Sequence, residues 1–239
     1  MNEIKKCPVC GGDSYTDYEV LWDELITEWN LAPHEVDYIN RQQGHCCKNC
    51  GNNMRTLALA DAILSSYGFH GTLKQFIETD KAKKLRVLEI NEVGVLSPIL
   101  SKLPLHKIVR YPDSDMTKLD LTSNSYDLVL HSDTLEHISD PISGLSECLR
   151  VLVNGGHCIF TIPIIIGRLS KSRIGMKNSY HGNPEQSDGD YIVHTEFGAD
   201  MWAYVIEAGF SAARIHSFEY PAALAIEATK FIRGKVNEY

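Results

Sequence analysis

Short apolar runs alternate with segments of helical period along the chain from residue 85 onward, and that alternation sets the fold expectation. Residues 86–91, 107–111 and 127–131 read as strands, and 95–103 as a short helix. Asp140-Pro141 supplies an N-cap and a first-turn proline for a helix that runs through Leu145, Leu149 and Val151 to a stop at Asn154-Gly155-Gly156. Residues 157–163 form a buried strand, and Thr195 is expected to cap a helix reaching about residue 208, ahead of Gly209. Strands alternating with helices give an α/β fold, a mostly parallel Rossmann-like sheet with helices on both faces. Such sheets bind ligands at the carboxyl ends of their strands.

Upstream of residue 85 the pattern differs. Leu57, Leu59, Ala60, Ile63 and Leu64 recur at helical spacing, Gly68 and Gly71 interrupt them, and Phe76 and Ile77 resume, which predicts two helices around a turn. Residues 80–84 are the candidate linker. Residues 20–31 are amphipathic through Leu21, Leu25, Ile26 and Trp29. The stretch 164–195 shows no regular period, and so long a loop is expected to be a lid or substrate loop.

Cysteine usage adds a candidate metal centre. There are seven cysteines, and five of them fall in the first 50 residues. Cys7-Pro8-Val9-Cys10-Gly11 and Cys47-Lys48-Asn49-Cys50-Gly51 are two CxxCG knuckles, the turn that aims two thiolates at one tetrahedral Zn²⁺. Cys7, Cys10, Cys47 and Cys50 are therefore the expected ligands of a structural zinc ribbon with a helical insert. Cys46 and His45 stand beside Cys47 as alternatives, and the CxxCG spacing favours Cys47. Neither pair follows a strand at the start of a helix, as a redox dithiol does. Cys148 and Cys158 lie on a helix and a buried strand, as core cysteines do. The expected organisation is a ribbon over 1–53, a helical connector over 54–84 and a Rossmann-like domain over 85–239.

Charge narrows the partners. Lys and Arg total 23 against 31 Asp and Glu, a formal net charge of −8 that disfavours nucleic acid. Arg168, Lys171, Arg173 and Lys177 form a basic group within this acidic chain, so an anionic acceptor such as a phosphate, carboxylate or nucleotide-linked sugar is expected. No apolar run approaches the roughly 20 residues of a membrane span, and the first residues lack a secretory pattern; a cytoplasmic location is the expectation.

The stretches Val87-Leu88-Glu89-Ile90, Asn124-Ser125-Tyr126-Asp127-Leu128-Val129, Leu135-Glu136-His137-Ile138-Ser139-Asp140-Pro141 and Leu149-Arg150-Val151-Leu152-Val153-Asn154-Gly155-Gly156 resemble the class I S-adenosylmethionine-dependent methyltransferases, over about residues 85–220. Within them the chain looks like bacterial members that carry an N-terminal CxxCG zinc module. The glycine-rich loop of that family is reduced here to Asn91-Glu92-Val93-Gly94. The interval from Tyr111 to Tyr126 is too short for the usual helix, strand and helix, which implies an abbreviated sheet. The resemblance implies S-adenosylmethionine as cofactor, with Glu89, Asn91, Glu92 and Gly94 at the first-strand loop and Asp113 on the ribose. It also implies Asp115 and Met116 at the adenine, and His131 and Ser132 at the methionine end. A hydroxyl acceptor needs a base, for which His181, His194 and His137 are the candidates. The expected reaction is methyl transfer to a small-molecule, sugar or natural-product acceptor. The alternatives are an RNA methyltransferase that reads through the ribbon, disfavoured by charge and by the absence of an Asn-Pro-Pro or Asp-Pro-Pro tetrapeptide, and a non-catalytic zinc-containing binding protein.

Overall fold

In a computed structural model of the chain, residues 6–180 and 191–231 are described. The N-terminal part pairs strand β1 (Tyr15–Thr16) antiparallel with β2 (Cys46–Cys47), and between them run helices α1 (Asp23–Glu28) and α2 (Pro33–Gly44). Pro33 opens α2, and the Glu35 carboxylate accepts the Ala32 N–H at 2.9 Å. The helical insert is thus two helices, extending well past residue 31. Hydrophobic periodicity misses the second because its buried positions are Glu35, Tyr38, Gln42 and Gly44, mostly polar.

Helix α3 (Met54–Ser66) is capped by Asn53, whose side chain accepts the Thr56 N–H at 3.0 Å. Leu57, Ala58, Leu59, Ala60, Ala62 and Ile63 are all buried, the mark of a helix enclosed on every side. Although expected as a connector, α3 packs directly on the central sheet. Helix α4 (Leu73–Phe76) begins with a reciprocal Thr72–Gln75 capping box. The candidate linker is a helical turn, α5 (Asp80–Lys83), capped by Thr79 with Ala82 buried.

The chain then lays down β3 (Val87–Ile90), a 3₁₀ turn (Gly94–Leu96), α6 (Ser97–Leu100), β4 (His106–Val109), β5 (Tyr126–Ser132), a 3₁₀ turn (Leu135–His137), α7 (Pro141–Val151) and β6 (Leu152–Thr161). Asp140 caps α7 as its sequence predicts, accepting the Ser143 N–H at 3.1 Å. After β7 (Ile164–Ile165), β8 (Lys171–Ser172), β9 (Thr195–Gly198) and α8 (Trp202–Glu207), the chain closes with a hairpin of β10 (Ala212–Glu219) and β11 (Ala223–Thr229). The six-stranded sheet has the order β10-β11-β6-β5-β3-β4. Strands β4, β3, β5 and β6 are parallel, and β11 runs antiparallel to β6. Between β4 and β5 residues 110–125 hold no strand, so β4 ends the sheet.

Both sheet faces are covered, so the inner strands read as near-continuous apolar runs. Val87, Leu128, Leu130, Ile159, Ala223 and Ala225 pack with α3, α4 and α6. Leu88, Ile90, Val129, Cys158, Phe160, Ile226 and Ala228 pack with α7 and α8 on the other face.

Two expectations from the sequence are corrected beyond β6. The aperiodic stretch contains a small three-stranded sheet in the order β7-β9-β8. Thr195 starts strand β9 and caps no helix, because all four β9 residues are buried and pair with β7 on one side and β8 on the other. Helix α8 starts after Met201.

Candidate functional site

A cavity of about 700 Å³ opens at the carboxyl ends of β3, β4 and β5, within the size range of small-molecule sites. The first turn of α3 closes one wall through Asn53, Arg55 and Thr56, and Tyr191 and His194 face it from the segment beyond β8.

The β3 loop carries three of the expected residues into this cavity: Asn91, Glu92 and Gly94. Asn91 follows the last strand residue with φ of +56°, a left-handed conformation that asparagine tolerates better than most residues. Its side-chain oxygen accepts the Tyr111 N–H at 3.1 Å and so ties the β3 and β4 ends together. Gly94 has φ of +59°, and a Cβ there would stand 3.3 Å from the Thr56 methyl. Backbone conformation and space therefore both favour glycine here. Glu92 forms an ion pair with Arg110 across the rim.

Glu89 is placed differently. It is fully buried and absent from the cavity wall. One carboxylate oxygen accepts the Val93 N–H at 2.9 Å and the Ser97 hydroxyl; the other meets His106 Nε2 at 2.7 Å. Burial pushes its pKa up, but these bonds outweigh it and hold the carboxyl below its usual range. Glu89 shapes the β3 loop from behind.

On the β4 side, Asp115 and Met116 line the cavity, and Asp113 is exposed and does not. Asp115 Oδ1 accepts both the N–H and the hydroxyl of Thr117 at 2.8 Å, which fixes the turn and leaves the second oxygen toward other partners. Met116 is buried.

At the β5 end, Ser132 lines the cavity, and its hydroxyl sits 2.7 Å from the Thr161 hydroxyl. Asp133 and Thr134 follow, Asp133 with φ of +50°. His131 does not reach the cavity. It is fully buried and stacks on Phe160 at 4.5 Å, and burial pulls its pKa down to about 3, so the ring is neutral at ordinary pH. Strand alternation explains the split, since consecutive residues face opposite ways.

Among the histidines, His137 and His194 line the cavity with Tyr191, and His181 lies outside the described residues. His137 Nδ1 is 2.9 Å from the Ile192 carbonyl, which can only accept, so Nδ1 carries the proton and Nε2 of the uncharged ring carries the lone pair. The His194 N–H donates to the Glu136 carbonyl at 2.8 Å, fixing this segment against the 3₁₀ turn.

Arg55, Asn53, Arg110, Tyr111, Asp133 and Tyr191 were not picked out from sequence. Arg55 is 2% exposed, pairs with Asp133 and donates to Gln42 Oε1 at 2.8 Å, so it joins α2 to the β5 end. The Asn and Asp that directly follow buried strands were a readable signal. Arg55 gave none, because it comes from a helix that reaches the site only through the tertiary fold.

The basic group expected to meet an anionic acceptor is largely engaged elsewhere. Arg168 contacts Glu35 at 2.6 Å and donates to the Trp29 and Asn30 carbonyls at 2.8 Å. Arg173 pairs with Glu196 and Glu28 and stacks over Trp29 at 5.4 Å; Lys171 meets Glu196 at 3.1 Å. Arg168 and Arg173 fasten the segment after β7 to α2 and α1, and Lys171 ties β8 to β9.

The four expected thiols converge. Cys7 and Cys50 Sγ are 3.6 Å apart, Cys10 and Cys47 Sγ 3.7 Å, and all four lie within 4.8 Å of one another. Tetrahedral Zn²⁺ with Zn–S bonds of about 2.3 Å places its sulfurs about 3.8 Å apart, so the spacing fits. Gly11 and Gly51 adopt φ of +82° and +70°, and their N–H groups donate to the Cys7 and Cys47 carbonyls at 2.8 Å. Cys46 points away, its sulfur 3.9 Å from the Gln43 carbonyl, and His45 pairs with Asp17.

The fold is an α/β domain with a cavity at the carboxyl ends of its parallel strands. A family model described as a methyltransferase domain matches residues 50–160, from the second knuckle through β6. The matched stretch takes in α3 and the parallel strands β3, β4, β5 and β6. No curated protein matches the sequence. Among solved structures, a candidate O-methyltransferase from Nostoc punctiforme is 16% identical over 73% of this chain, with a TM-score of 0.43. The chain spans 59% of that protein's length. An S-adenosylmethionine-dependent methyltransferase from Thermotoga maritima is 18% identical over 74% of this chain and 90% of its own, with a TM-score of 0.43. One from Methanosarcina mazei is 13% identical over 62% and 92%, with a TM-score of 0.39. No residue's role follows from these likenesses. Among the described residues, no helix is long and apolar enough to cross a membrane.

Proposed function

We propose that this chain is an S-adenosylmethionine-dependent methyltransferase acting on a small-molecule, sugar or natural-product acceptor, with a structural zinc ribbon built on Cys7, Cys10, Cys47 and Cys50. The observation that carries the reading is the cavity at the ends of β3, β4 and β5, which has Asn91, Glu92 and Gly94 at one strand end and Asp115 and Met116 beside the next. S-adenosylmethionine, when bound, supplies an electrophilic methyl group on a sulfonium. Asp115 offers a carboxylate oxygen to an exocyclic amine, and Met116 an apolar surface to an aromatic ring. Glu92 faces the cavity where Asp113 does not, and is assigned the vicinal diol, whose two hydroxyls a carboxylate accepts together. Ser132, Asp133 and Thr134 offer polar groups to the amino-acid end.

The remaining requirements are alignment of the acceptor and removal of its proton. His137 is assigned the second, its Nδ1 turned to the Ile192 carbonyl at 2.9 Å and its Nε2 3.8 Å from the Glu136 carboxylate. His194 is the second candidate base at the same wall. Four thiolates leave no open coordination position, so the zinc is assigned to the fold and not to the reaction.

Calorimetric titration of the metal-replete protein with S-adenosylmethionine and S-adenosylhomocysteine tests the reading. Micromolar binding of both is expected, and absence of binding by either overturns it.

A further inference from the structure

His131 on β5, Cys148 on α7 and Cys158 on β6 meet inside the core, all three at zero exposure. Their ligand atoms lie within 4.8 Å of one another, so a point between them is no more than roughly 2.8 Å from each, that spacing divided by √3. Contraction by at most about 0.5 Å for the thiolates and about 0.8 Å for the imidazole nitrogen reaches the bond lengths of zinc, about 2.3 and 2.0 Å.

Ordinary core packing explains the two thiols, since cysteine behaves as a small hydrophobe. It does not explain the histidine. Neither ring nitrogen of His131 has a hydrogen-bond partner among the described residues, and buried polar groups are nearly always paired. An imidazole with both nitrogens unpaired, set beside two thiols, is a nitrogen and sulfur donor set of the kind zinc prefers. Charge agrees, because Zn²⁺ with two thiolates and a neutral imidazole sums to zero, which a dry core accommodates without a buried net charge.

We infer that His131, Cys148 and Cys158 form a second zinc site, separate from the ribbon, that pins β5, β6 and α7 together one residue before cavity-lining Ser132. The three side chains supply three of the four tetrahedral positions. The site is structural in consequence: closed to substrate, and placed to fix the strand end that carries Ser132 and Asp133.

The test measures zinc per chain and X-ray absorption at the zinc edge on the wild-type protein grown and purified with zinc, with Cys158→Ala alongside. Two zinc ions per chain are expected, with imidazole nitrogen in the averaged coordination shell. Cys158→Ala should retain one zinc and lose the nitrogen signal. One zinc with a mixed sulfur and nitrogen shell supports this site and counts against the ribbon. One zinc with a sulfur-only shell in the wild type, or no zinc, overturns the inference, and both of those outcomes are read on the wild type, whether or not the variant folds.

Discussion

The Arg168 guanidinium grips the Glu35 carboxylate through Nε at 3.0 Å and Nη2 at 2.6 Å, joining the segment after β7 to helix α2 of the cysteine-bearing part. The Trp29 indole N–H reinforces this joint by donating to the Ser179 hydroxyl at 2.8 Å. Tyr191 and His194, farther along the chain, line the cavity. The arrangement ties the N-terminal helices to the segment that follows β7.

Removing one partner of this pair should cost more than the pair itself contributes, because Glu35 is only 4% exposed and would be left uncompensated. Arg168→Ala is expected to lower unfolding stability by about 2 kcal/mol. The Glu35→Gln/Arg168→Ala double variant should lose less than the sum of the singles. Denaturant titration of the four proteins measures this; strict additivity would show that the two side chains do not interact.

The four-cysteine cluster leads directly into the cavity wall, since Cys50 is followed by Asn52, whose amide donates to the Cys50 sulfur at 3.3 Å, and by Asn53, the cap of α3. Cys10→Ser is expected to lose the ribbon zinc and to weaken S-adenosylmethionine binding several-fold by loosening Asn53, Arg55 and Thr56. Metal content and calorimetry on one preparation check both halves. Zinc loss with unchanged cofactor affinity would sever the link.

Glu227 gives a pH dependence. Buried on β11, it meets His157 Nδ1 and His216 Nε2 at 2.7 Å each. Burial raises its pKa, but the two histidine contacts outweigh it and hold the carboxyl well below the usual range. A depressed carboxylate contributes stability above its unfolded pKa and loses it as pH falls toward the folded one. The stability difference between wild type and Glu227→Gln should therefore be widest at neutral pH, on the order of 2 kcal/mol, and shrink below about pH 4. Chemical denaturation across pH follows it; a difference that grows in acid would reverse the sign.

Lys230, 9% exposed, closes the carboxyl end of α7: its ammonium donates to the Leu149 and Leu152 carbonyls at 2.9 and 2.6 Å and to Asn124 Oδ1 at 2.8 Å. Lys230→Met keeps the aliphatic stem and leaves those acceptors unmatched, so a loss of about 2 kcal/mol is expected in thermal or denaturant unfolding. A change below a few tenths of a kcal/mol would mean that water replaces the ammonium.

Elements whose buried face is apolar were legible in the sequence. Helix α7 announced itself through Asp140-Pro141 and the spacing of Leu145, Leu149 and Val151, and the parallel strands through their apolar runs. Helix α2 escaped because it buries Glu35 and Gln42, held by partners distant in sequence. Strand β9 escaped because its meaning lies in pairing with β7 and β8, which local sequence does not show, so Thr195 looked like a cap. In the site, Asn91, Gly94, Asp115 and Met116 were expected through the family resemblance, and all four line the cavity. Glu89 and His131 were displaced by one alternation of the strand, each facing a core instead of the cavity. Arg55 needed the tertiary placement of α3.

The central claim is that the cavity at the strand ends holds the cofactor, and two neighbouring aspartates separate it from its rivals. Asp115 lines the cavity and Asp113 does not. Calorimetry with S-adenosylmethionine on wild type, Asp115→Ala and Asp113→Ala measures this. The account predicts micromolar binding by the wild type, a loss of about tenfold, or 1.4 kcal/mol, in Asp115→Ala, and no change in Asp113→Ala. Binding lost in Asp113→Ala and kept in Asp115→Ala would contradict it.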